Sequence, residues 1–256
     1  MPYTVIGWGE DLDAAGATVN ITALADDTVS TNADLLSIPQ YSNIAWAAAG
    51  MPSGGTSVAT LISPSLDQLG SLPIFPTNGS TTDGDAEVDD PPLWMDLLAN
   101  PRAMVSNEQA QVTVNSNSGA AAFHWALLGL SDGPLTPINV PGVFTVRGTH
   151  STTLTARAWS SFQITLDDQL PVGRYLLCGV LYVAASAIAI RFIDRETGNR
   201  PGALAADTTN SQNKMCRFGS LGPLLEFDSV SIPHAEALQD LADTSGTIYL
   251  DLVRLT

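Results

Sequence analysis

Lysine is almost missing from this chain. Of 256 residues one is Lys, Lys214, and nine are Arg, against 26 Asp and Glu, for a net charge of −16. Such a surface repels phosphate backbones. No segment gathers enough basic residues to reverse that, so direct nucleic-acid binding is not expected. Charged residues of either sign make up only 14%, below the usual ~25%, which favours a chain that hides part of its surface against partners. Cysteine is nearly absent too: Cys178 and Cys216 show no Cys or His spacing suited to zinc. Cys178 lies in an apolar run and reads as a small buried hydrophobe; a Cys178–Cys216 disulfide is left open. The start, MPYTVIGWGEDLD, lacks a basic segment followed by an apolar one, so no signal peptide is expected.

A long hydrophobic run is also lacking. The best candidate is residues 171–193, PVGRYLLCGVLYVAASAIAIRFI, whose uncharged part is 16 residues, Tyr175 to Ile190. A membrane helix needs about 20 apolar residues. Tyr175, Val180, Tyr182, Val183, Ile188, Ile190 and Phe192 are β-branched or aromatic. From Ala187 the pattern alternates small and large, a period of two. The stretch predicts two strands, about 174–183 and 187–194, with a tight bend at Ala184-Ala185-Ser186; a buried helix is the alternative.

Strand-like runs recur along the chain: 3–7, 18–24, 44–49, 57–62, 111–115, 122–130, 143–147, 161–166 and 247–255. Most gaps contain Gly or Pro, as 21 Gly and 16 Pro allow. That spacing predicts an all-β sandwich or barrel. Short helices are expected at 64–69, 91–98 and 233–242, each with Pro near its first turn. Residues 77–92 form an acidic loop, and 133–141 a linker near the middle of the chain.

The halves on either side of that linker resemble each other in order. Pro92-Leu93-Trp94-Met95-Asp96-Leu97-Leu98 matches Pro223-Leu224-Leu225-Glu226-Phe227-Asp228-Ser229, and Pro101 matches Pro233. Ser118-Gly119 and Ser245-Gly246 each open a closing strand. Ile38-Pro39 and Leu170-Pro171 each precede a tyrosine and an apolar run. The offsets lie between 127 and 132 residues. Two tandem jelly-roll β-sandwich domains, 1–134 and 135–256, with a few short helices, fit this size; one larger sandwich with coincidental symmetry stays open.

In order and repeat the chain resembles the double jelly-roll major capsid proteins of icosahedral bacterial and archaeal viruses. The resemblance is architectural and covers most of the chain. It implies a virion location and a homotrimeric capsomer of pseudo-sixfold outline, tiling an icosahedral shell beside other virion proteins and often around an internal membrane. The lack of a basic N-terminal arm agrees with a shell that does not touch nucleic acid.

The search for chemistry yields little. There is no G-x-S-x-G, and His124, His150 and His234 lack metal-ligand spacing. His124 is expected to face solvent or an interface. No catalytic group and no cofactor is expected. Asp83, Asp85, Glu87 and Asp89 alternate as calcium ligands do, but Trp94 stands where an EF-hand needs its bidentate Glu. A solvated acidic loop is the plainer reading. Gly7-Trp8-Gly9 is not followed by a βαβ unit and is not a dinucleotide site. Residues 195–202, RETGNRPG, suggest an exposed contact arm, with Arg195, Glu196, Asn199 and Arg200 as interface candidates. Trp8, Trp46, Trp94, Trp125 and Trp159 read as core anchors, with a sugar-binding platform as the alternative. A non-enzymatic β-sandwich module binding carbohydrate or a cell surface, such as a phage spike component, is therefore the rival to a coat protein. A β-sandwich hydrolase rests on fold analogy alone.

Overall fold

The computed structural model describes residues 3–12, 16, 18–26, 29–39, 43–50, 58–67, 71–74, 76–77, 94–115, 121–207 and 217–256. They form an all-β structure of mainly antiparallel sheets. The chain divides into two compact units. One, the N-unit, is Val5–Pro134; the other, the C-unit, is Leu135–Thr256 together with Met1–Thr4.

In chain order the first strands are β1 (Tyr3–Leu12), β2 (Thr18–Ile21), β3 (Thr31–Asn32), β4 (Leu35–Ser37), β5 (Asn43–Gly50) and β6 (Val58–Ile62). A one-turn helix, α1 (Pro64–Asp67), is followed by β7 (Leu72–Ile74), β8 (Pro76–Thr77), β9 (Trp94–Asp96), β10 (Arg102–Ala103), β11 (Gln109–Asn115) and β12 (Ala122–Ser131). One sheet runs β1-β12-β5-β10, with β8 and β9 also on β5. The other runs β3-β4-β11-β6-β7, with β2 also on β11. The core joins both sheets: Ile6, Trp8, Ala47 and Leu128 from the first pack with Ile21, Leu61 and Val112 from the second. Helix α1 starts at Pro64, and the Glu108 carboxylate accepts the Ser65 N–H at 3.0 Å.

The C-unit strands are β13 (Phe144–His150), β14 (Ser160–Gln163), β15 (Thr165–Leu166), β16 (Arg174–Ala184), β17 (Ala187–Phe192), β18 (Gly202–Leu204), β19 (Ala206–Asp207), β20 (Leu225–Asp228), β21 (His234–Gln239) and β22 (Gly246–Arg254). One sheet runs β15-β13-β22-β16-β19, with β20 also on β16; the other runs β14-β21-β17-β18. The apolar stretch that opened the membrane question is β16 and β17. No helix among the described residues is long and apolar enough to cross a membrane. The bend is where the sequence places it: Ala185 and Ser186 form a turn, with Ser186 at φ 57°. The two strands it joins do not pair. The chain passes there from one sheet to the other.

The pairings repeat. Strands β5 and β12 pair antiparallel, as do β16 and β22. So do β6 with β11 and β17 with β21. A short strand runs parallel to the end of β5 (β8) and of β16 (β19). An antiparallel one lies nearer the start of each (β9, β20). The sequence match of Trp94-Met95-Asp96 with Leu225-Glu226-Phe227 falls on β9 and β20, which hold equivalent places.

Two expected helices are strands. Within 91–98, Trp94–Asp96 is β9; within 233–242, His234–Gln239 is β21. His-Ala-Glu-Ala-Leu-Gln has good helix formers, but β21 lies between β14 and β17, and Ala235 through Gln239 are all buried. Pairing on both edges overrides a propensity of tenths of a kcal/mol per residue.

Glycine makes room for rings on the central strands. Gly129 of β12 lies opposite Trp46 of β5, and a Cβ there would overlap the indole. We expect Gly129→Ala to cost about 1–3 kcal/mol in a denaturant titration through overpacking, while Gly133→Ala, where a Cβ meets nothing within 4 Å, leaves the midpoint unchanged.

Candidate functional site

The register of β17 on β21 places Arg191 opposite Glu236. Arg191 is fully buried, and its Nε donates to Glu236 Oε2 at 2.7 Å. Arg200 Nε lies 3.4 Å from the same oxygen, and it too is buried. The Arg191 guanidinium carbon sits 3.9 Å from the centre of the Trp159 ring, a cation–π contact. Two cations thus share one carboxylate away from water. Removing that carboxylate would leave buried charge uncompensated.

The loop between β17 and β18 hangs from this cluster. Asp194 accepts from the Glu196 N–H at 3.0 Å and from Thr197 Oγ1 at 2.5 Å. Gly198 closes the turn at φ 76°, donating to the Asp194 carbonyl. Arg195 and Glu196 stand exposed at the tip. Asn199 and Arg200 do not: they are buried, and the Arg200 N–H donates to Thr4 Oγ1 at 3.2 Å. The exposed arm expected from the sequence is therefore an exposed tip on a buried base. The polar letters of RETGNRPG do not reveal that Glu236, far along the chain, draws Arg200 inward.

A second polar group lies in the C-unit core. His150 Nε2 is 3.0 Å from the Tyr182 hydroxyl, and Gln239 Nε2 donates to that hydroxyl at 2.9 Å. The His150 ring also stacks on Phe162, with centroids 4.3 Å apart. With His150 neutral, the hydroxyl accepts from Gln239 and donates to Nε2, an assignment made from the bonding network. Burial holds the His150 pKa below its ordinary value. His124 is buried as well, whereas the sequence suggested a ring facing solvent or an interface, and burial lowers its pKa too. The strand holding it, β12, is buried along its length on both faces.

The third group centres on Asp251 of β22, which is fully buried. Its carboxylate accepts from Arg217 Nε (2.7 Å) and Nη2 (3.1 Å), Thr145 Oγ1 (2.7 Å) and the Phe218 N–H (3.1 Å). Buried Cys178 donates to the Asp251 carbonyl, and burial pushes its thiol up to about 11. These groups brace strands and loops. Among the described residues, no three His, Cys, Asp or Glu gather as metal ligands do. Trp8, Trp46 and Trp125 are buried, and Trp94 and Trp159 half-buried. Asp83, Asp85, Glu87, Asp89 and Cys216 lie outside the described residues.

Two outcomes are expected. Glu236→Gln should lower unfolding free energy by about 3–5 kcal/mol, the cost of breaking a buried ion pair, in a chemical denaturation series. Acidification should weaken the C-unit through His150. The depressed folded-state pKa means the native chain binds fewer protons than the unfolded one. The associated stability is complete above about pH 6.5 and is lost as pH falls below it. His150→Gln, neutral throughout, should lose less stability between pH 7.5 and 5 than the parent in calorimetry.

No protein family model matches the chain, and no curated protein matches it. Comparison with solved structures aligns it with the major capsid protein P2 from bacteriophage PM2, over 98% of this chain and 97% of that one. Identity is 11% and the TM-score 0.27, too low for the alignment to carry an argument.

Proposed function

We propose that the chain is a structural coat protein, not an enzyme, that acts by self-association as a homotrimeric capsomer in an icosahedral viral shell. The observation that carries the reading is the repeat of one strand order in the two units. In each, the first strand, the last and the middle one lie side by side in one sheet (β1-β12-β5, β13-β22-β16). Short strands β8 and β9, or β19 and β20, complete it. The second sheet contains β2-β11-β6-β7 in one unit, where β4 and β3 also extend from β11, and is β14-β21-β17-β18 in the other. We read each unit as a jelly roll of two sheets built on this shared order, with further short strands at the edges.

A chain of two like units has a geometric use. Three copies about a threefold axis place six similar units around it, a near-hexagonal tile for a closed shell. The small share of charged residues, 14%, supports the same reading, since uncharged patches meet with little desolvation cost. Other virion proteins and an enclosed membrane belong to this proposal as its further partners.

Light scattering coupled to gel filtration, followed by electron microscopy, tests it. A trimer of hexagonal outline, or closed shells, is the expected result. A monomer at high concentration would overturn the reading and move the choice to a monomeric binding module.

A further inference from the structure

The C-unit sheet β13-β22-β16 has two faces of unlike duty. Leu177, Val180 and Tyr182 of β16 pair with Leu252, Leu250 and Ile248 of β22, and all six are fully buried. The intervening residues point the other way. They are Leu176 and Val253, Leu181 and Tyr249, Val183 and Thr247. All are half-buried. A two-layer sandwich ordinarily turns polar side chains outward at these positions. Here five of the six are apolar or aromatic, a stripe along β16 and β22 bordered by the polar Thr145, Arg147 and Thr149 of β13, and such a stripe suits a partner.

Charge in the middle of this face is paired. Asp251 is fully buried and bound to Arg217; toward the β20 edge Glu226, opposite Leu176, pairs with Arg174 at 2.6 Å, and Asp228 accepts the Val230 N–H. Arg147, opposite Tyr249, pairs with Asp167 at 2.8 Å. The adjoining segments 133–146 and 218–225 contain no charged residue. They are fastened together, the Ile138 N–H donating to the Gly219 carbonyl at 3.0 Å.

Phe218 stands at the margin of the face, 61% exposed, with its backbone at φ 51°. A bulky residue in the left-handed region is strained and persists only where its surroundings hold it. The holding groups are on hand. The Phe218 N–H is bound by Asp251, the Arg217 guanidinium lies 4.5 Å from its ring, and Gly219 donates to the Cys178 carbonyl. The turn holds an aromatic ring out toward solvent at a conformational cost. Rigid exposed aromatics of this kind anchor interfaces with little further loss of entropy on binding.

We infer that this face, with Phe218 as its anchor, is where a second copy of the chain seats. Electrostatics selects the occupant. A cationic partner would be drawn to the carboxylates elsewhere on a chain of net charge −16. A partner of like charge is repelled there and tolerated only where charge is absent or paired. A second copy is such a partner. The inference rests on the self-association reading and adds the surface through which it works.

The test compares the full chain with Phe218→Gly and Phe218→Asp by light scattering across a dilution series, with thermal unfolding alongside. Glycine takes φ 51° without strain, so Phe218→Gly removes the ring and keeps or raises the melting temperature. It decides the matter if Phe218→Asp does not fold. The expected result is that the parent associates and the variants need at least about tenfold higher concentration to do so, while remaining folded. Association of the folded variants at the parent's concentration would overturn the inference and leave self-association standing. A parent that stays monomeric at every concentration would overturn both.

Discussion

Each unit depends on one antiparallel pair, β5 with β12 and β16 with β22. These strands are long and mostly buried, so their peptide groups cannot turn to water and must find partners in the sheet. Strand β5 accordingly bonds to β12, β10, β8 and β9, and β16 to β22, β19 and β20. Rings share the same strands. Trp46 lies against Gly129, and Tyr182 crowds Gly246, so in both units a missing side chain on the closing strand admits an aromatic from its neighbour. Both pairs contain a register shift, at Gly129/Leu130 and at Leu177/Gly179. Such bulges tighten local twist and fix register.

Burial of charge is the second constraint, and it falls on a chain with few cations to spend. Glu236 and Asp251 each lie away from water with an arginine against them. Such pairs rarely add much net stability, because desolvation offsets attraction. What they set is geometry. Glu236 fixes where the β17–β18 loop begins and ends, and Asp251 fixes the turn at Phe218. The exposed tip at Arg195 and Glu196 and the exposed ring at Phe218 are consequences of buried carboxylates.

Most strands were legible because β-rich cores write a local signal. Alternation at Ala187–Phe192, β-branched and aromatic runs, and Gly or Pro in the gaps located β5, β6, β11, β12, β16, β17 and β22 nearly to the residue. What failed was set by distant partners. His234–Gln239 reads as helix by composition, and only its place between two strands makes it β21. Asn199 and Arg200 read as surface letters, and only Glu236 brings Arg200 inside. The pairing that separates β16 from β17 into different sheets has no local signature either. A two-residue bend serves a hairpin and a crossing equally well. The Phe218 turn was not foreseen because its brace, Asp251, lies on a strand whose sequence looks like any alternating one.

The position of the closing strands has a consequence for synthesis. In each unit the last strand enters between the first and a middle one: β12 between β1 and β5, β22 between β13 and β16. Phe144 must wait for Leu252, and Tyr175 for Arg254. Until β22 has emerged from the ribosome, β13 and β16 have no common neighbour, and their edges stand open to other chains. Pairings of such long sequence separation also form slowly. The N-unit is complete in sequence well before the C-unit, so a nascent chain holds one finished sandwich while the other still lacks its central strand. The C-unit sheet, and with it the outer face proposed for self-association, is therefore complete only once β22 has been made and has closed between β13 and β16.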